Sequence, residues 1–200
     1  MSQSTSGFQT NRTAASSASE AARFQLLVRT LLSRVRTAMP VEVKAVTNAG
    51  GVSAVGYVDI LPLVSQLDGD GTVYPHGIIY NVPYMRLQGG GNAVILDPQV
   101  GDIGMAVICD RDISAVKNSG QQSPPGSKRR HDMSDAVYLS TIIGAAPTQY
   151  VRFSDEGIAI VSQVAVDIQS PTLKHNGVNI GDTHAHGGIE RGGSVSDGPQ

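Results

Sequence analysis

Tryptophan is absent from this 200-residue chain, aromatic residues make up 4% of it and charged residues only 16%. So few aromatic rings leave little of the stacking platform on which single-stranded nucleic acids are held. With 15 Lys and Arg against 17 Asp and Glu, the formal net charge is −2, which argues against a broad basic surface gripping phosphates. Nucleic acid is therefore not expected as a partner. The single cysteine, Cys109, excludes an intrachain disulfide, and the chain reads as made in a reducing compartment. Within the apolar run MAVICD it is expected to be a small buried residue. No uninterrupted run of about 18 apolar residues offers a bilayer-spanning helix, and the serine-rich start lacks the apolar stretch of a secretory signal. G-x-S-x-G, P-loop and dinucleotide-binding patterns are also missing, and GGGN at 89–92 opens no helix.

Glycine, at 23 residues, and a hydrophobic share of 40% point to many short strands joined by turns, a mainly β chain. Residues 1–19 read as a flexible leader that a partner would order. Residues 20–39 read as a helix: Phe24, Leu27, Val28, Leu31 and Val35 recur at helical spacing, Ser19 can cap the start, and Pro40 lies past the end. Its arginines sit largely off that stripe. From 40 to 146 the runs VEVKAV, VSAVGYVDILPLV, HGIIYNVPYMRL, NAVILDPQ and DIGMAVICD alternate with NAGG, DGDG, QGGG and PQVGD turns. Five such strands suit a small closed barrel of the OB type, followed by a junction loop, NSGQQSPPGSKRRHD. Asp68 and Asp70 read as a plain turn, since the further ligands of an EF-hand are lacking. Lys128, Arg129 and Arg130 read as a solvated loop.

Residues 147–188 alternate apolar and polar over very short strands: Val151 and Phe153, Ile158 and Ile160, Val164, Val166 and Ile168, Leu173, then Val178 and Ile180. Short meanders of this kind are marginal alone. Three identical chains winding together would turn each apolar stripe toward a common axis, giving an intertwined β-prism. The segment then ends in GDTHAHGG, with a tail at 189–200.

His184 and His186 point the same way from an extended backbone. Two imidazoles per chain are too few for a zinc site of three or four protein ligands, but three chains supply six. Six nitrogens in an octahedron favour iron(II) or nickel and leave no position open for water, so such a metal would staple the assembly without catalysis. His76 and His175 read as loop residues. Two alternatives stay open. Metallohydrolases and cupin-type oxygenases also place H-x-H on a strand, with further ligands from the same chain, and an OB barrel can serve as an oligonucleotide- or sugar-binding module.

The stretches NVPYMRLQGGG, DPQVGDIGMAVICDRDI and RRHDMSDAVYL, followed by HAHGG, resemble the membrane-piercing central spike of contractile-tailed bacteriophages, over roughly residues 20–188. The resemblance implies a homotrimer with an OB barrel at its base and a triple-stranded β-helix ending in a metal-bound tip. It implies one iron ion per trimer held by His184 and His186 of each chain, and a structural place for His131 at the barrel-to-helix junction. It further implies a virion protein, made in the bacterial cytoplasm, seated among hub and tail proteins at the baseplate tip. Sheath contraction would drive it mechanically through the host outer membrane, with no enzymatic activity.

Overall fold

A computed structural model describes residues 19–48, 50–68 and 70–181. The chain divides into two compact units, one ending at Ala145 and the other beginning at Ala146.

The first unit opens with helix α1 (Glu20–Leu32), whose start is fixed by Ser19: its Oγ accepts from the Ala22 N–H at 3.1 Å, and Glu20 stands in the first turn. The expected helix ran to residue 39, but it stops at Leu32. Beyond it the backbone is claimed by sheet pairing. The Ile108 N–H donates to the Thr37 carbonyl at 2.8 Å, and Ala38 pairs with Val107, so β1 (Ala38–Val46) begins where the helix was expected to continue. Tertiary pairing outweighs helix propensity here.

After β1 come β2 (Tyr57–Pro62), the small hairpin β3 (Gln66–Leu67) and β4 (Val73–Tyr74), then β5 (Ile79–Pro83). A second hairpin, β6 (Leu87–Gly89) and β7 (Asn92–Val94), precedes β8 (Ile103–Ile108), the short helix α2 (Ser114–Ser119) and β9 (Ala136–Ile143). Five of these strands form one antiparallel sheet in the order β5-β2-β1-β8-β9. Its two edges then meet: Tyr84, just past β5, bridges Tyr138 of β9 in parallel, and the Met85 N–H donates to the Tyr138 carbonyl at 2.8 Å. The sheet thus closes into a barrel and hides its edges.

Period-two alternation fills the interior. Val41 and Val43 of β1, Val58 and Ile60 of β2, Val82, Ala106, Ile108, Ala136 and Tyr138 are buried together with Tyr84. Gly104 on β8 is required by this packing, because a Cβ there would collide with the Tyr138 Oη and the Ser140 carbonyl. One strand assignment changes. NAVILDPQ, expected in the barrel, contributes β7 to an exposed hairpin turned by Gly90 at φ 58°, whereas AVYLSTII supplies the fifth barrel strand.

The second unit contains two separate hairpins among its described residues. β10 (Tyr150–Ser154) pairs with β11 (Gly157–Val161), and β12 (Lys174–His175) pairs with β13 (Val178–Asn179). Asn176 at φ 50° and Gly177 at φ 85° make the two-residue turn of the latter. None of the described residues in this unit is buried.

Candidate functional site: an uncovered apolar blade

The register of β10 and β11 sets Val151 opposite Ile160 and Phe153 opposite Ile158. Side chains two apart on a strand share a face, so these four form one apolar patch, while Arg152 and Ala159 fall on the other side. All four are open to solvent, Phe153 at 75% and Ile158 at 67%. The pattern continues along the unit, where Val164, Val166, Ile168, Val178 and Ile180 are likewise exposed. Burying one Val, Ile or Phe side chain stabilises by roughly 1.5–3 kcal/mol, so leaving the four-residue patch wet forgoes on the order of 10 kcal/mol.

His184 and His186 lie outside the described residues, as do the leader before Ser19 and the tail at 189–200. Among the described residues no group of three or more His, Cys, Asp or Glu side chains is placed to hold a metal ion. His175 stands in β12 opposite Val178. His76 lies near Gln66, with Nε2 of the amide 3.1 Å from the imidazole Nδ1. Its pKa is lowered by burial first and by the charge of Arg36 second. Asp70 accepts from the Thr72 N–H at 2.9 Å, the bond of an ordinary turn. Cys109, expected to be buried, is half-buried, and burial followed by the charges of Asp135 and Asp110 raises its pKa, which favours the thiol over the thiolate.

Sequence reading missed two ion clusters. Arg129 sits in a loop read as solvated, yet its Nε donates to Asp135 Oδ2 at 2.7 Å and its Nη2 to Asp112 Oδ1 and Asp135 Oδ1, both at 2.8 Å. The side chains of Asp112 and Asp135 are 2% and 0% exposed. Next to this clamp, His131 at φ 47° places Nδ1 3.1 Å from the Arg36 carbonyl and so ties the junction loop to the segment leaving α1. The second cluster pairs Arg86 with Asp97, side chains 3% and 9% exposed, through Nη2 at 2.7 and 2.8 Å and Nε at 3.1 Å. Tyr84 Oη donates to the same carboxylate at 3.0 Å, and Asn48 donates to that hydroxyl at 3.1 Å. Buried charges persist only when paired in this way. The one available signal was position: Arg86 and Asp97 each follow an apolar run in NVPYMRL and NAVILDP. In both clusters the carboxylates are committed to arginine, so the clusters act as struts.

A five-stranded closed barrel braced by buried ion pairs, and a second unit whose apolar side chains are exposed among the described residues, define a mainly β protein. Residues 34–141 match the phage protein Gp138 N-terminal domain, and the chain belongs to that family. The match spans the segment leaving α1 and the whole barrel short of its last two residues, including both ion clusters. None of the curated proteins compared with the chain matches it.

Proposed function

We propose that this phage protein is the central spike at the tip of a contractile-tail baseplate. Its barrel is of the OB type, with the order β5-β2-β1-β8-β9 and the parallel closure at Tyr84 and Tyr138 supporting that reading. Three copies join through their second units, which wind into a triple-stranded β-helix. The observation that carries this is the exposure of the Val151, Phe153, Ile158 and Ile160 face, each residue more than half open to solvent, in a unit with no buried residue among those described. Identical neighbours would pair the open strand edges and bury that face at once.

A metal at the end of the blade fits the donor chemistry. His184 and His186, three and five residues past the last described residue, Gly181, supply two imidazoles per chain. The ion would add its binding free energy to assembly and would carry no reaction. Stiffness, a narrow section and resistance to unfolding under load serve a device driven through the host outer membrane by sheath contraction. Hub and tail proteins of the baseplate would hold the barrel end, in a virion particle assembled from protein made in the host cytoplasm. Neither catalysis nor nucleic-acid binding is required.

Elemental analysis of the purified full-length protein tests the metal assignment. One iron per three chains is expected, falling away in the His184→Ala, His186→Ala double variant while the barrel stays folded. One ion per chain would favour a metal-dependent enzyme instead, and full iron retention in the double variant would remove these histidines from the site.

A further inference from the structure

We propose that helix α1 packs against the same helix of the other two copies, forming a short parallel three-helix coil that locks the assembly at a second place. The inference rests on the trimeric reading above and goes beyond it, because the blade alone does not require it.

No residue of α1 is buried, and Phe24, Leu27, Leu31 and Leu32 are each more than half exposed. A helix of 13 residues is at the short end of what persists unaided in water, so its apolar face needs a partner. Among the described residues Val28 is half-buried, while Phe24, Leu27, Leu31 and Leu32 stay open to solvent. The spacing names the partner. Phe24, Val28 and Leu31, with Val35 in the turn that follows, are separated by four, three and four residues, the repeat of a coiled-coil seam.

Within α1, Val28 falls at the a position and Phe24 and Leu31 at d, and Val35 continues the spacing past the end of the helix; a β-branched a with Leu at d taken alone suits two strands. Leu27 and Leu32 flank the seam at g and e, however, and widen the apolar face beyond what one neighbour covers. Two neighbours cover both flanks. Arg23 and Arg29 fall at the outer c and b positions, so the seam buries neither. Copies related by rotation about one axis run parallel, as the seam requires. Residues 33–37 are the entire tether to β1, so helices from associated barrels cannot stray far from one another.

The test uses the full chain with Cys109→Ser as background and one new cysteine at a time, under mild oxidation. Val28→Cys and Leu31→Cys, on the seam, are expected to give disulfide-linked pairs of chains, while Arg23→Cys, on the outer face, gives none. Sedimentation of the same samples fixes the assembly state. Trimers without seam-specific linkage would overturn this inference and leave the trimeric reading standing. Monomers would overturn the trimeric reading and this inference with it. Seam-linked protein that sediments as a dimer would overturn the three-helix arrangement.

Discussion

Arg129 projects from a polar loop, yet its guanidinium serves two carboxylates that water scarcely reaches. Replacing it with alanine leaves Asp135 buried without its cation, and the barrel is expected to lose about 3 kcal/mol in denaturant unfolding, the lower end for a broken buried pair because Arg129 itself is 35% exposed. The same cluster predicts acid behaviour. Hydrogen bonds from the Ser114 side chain and backbone, then from Ser127, with the charge of Arg129, lower the pKa of Asp112 from 3.8 to about 2 against the rise from burial. A carboxylate whose folded pKa is depressed contributes its stability above the unfolded value and loses it as pH falls through the folded one. Barrel stability should therefore drop between pH 4 and pH 2, and Asp112→Asn should flatten that slope when unfolding is followed across the window. Tyr138 makes a different case: its Oη is buried without a hydrogen-bond partner, although Thr141 is near enough to offset slightly the rise that burial gives its pKa. Tyr138→Phe removes that unmet group and is expected to leave the unfolding midpoint unchanged or raised. A loss above about 1 kcal/mol would show that the hydroxyl does find a partner. These clusters were hard to read in the sequence. KRRHD looks like any solvated basic loop, and only the fold reveals that Asp112 and Asp135, distant in sequence from each other, converge on its first arginine.

Elements were more legible than their limits. Alternation in VEVKAV, GYVDILP and DIGMAVI marks three barrel strands because the residues facing in must be apolar at every second position. NAVILDPQ carries a continuous apolar run but lies next to QGGG, whose glycines fold it back on β6, while AVYLSTII reaches the barrel only after a long loop. Periodicity reports which residues are apolar in turn, not which strand they pair with. The end of α1 was misplaced for a related reason: the claim of β8 on residues 37 and 38 is a long-range contact. In the second unit the pattern on Val151, Phe153, Ile158 and Ile160 was plain, and the structure sets all four on one face of one hairpin. Phe153→Asp puts a charge at the centre of that face. It is expected to abolish the assembled state in sedimentation while the circular dichroism of the barrel persists. Unchanged association would place the contact elsewhere.

At the scale of the whole molecule, the two units differ in what they can do alone. The barrel buries ten hydrophobic residues and closes its own edges, whereas the second unit has no buried residue among those described. A fragment of residues 34–145 should accordingly fold and unfold cooperatively as a monomer, measured by denaturant titration, while the part from Ala146 onward should gain structure only as its concentration rises. The family match falls on the unit that has a buried core, and the exposed Val151, Phe153, Ile158 and Ile160 face lies in the other. The mass of the intact native protein in solution bears most directly on that division. Three chains per particle, persisting on dilution to the micromolar range, is the outcome that the proposed spike predicts. A stable single-chain particle with the Phe153 face still open to solvent would contradict it.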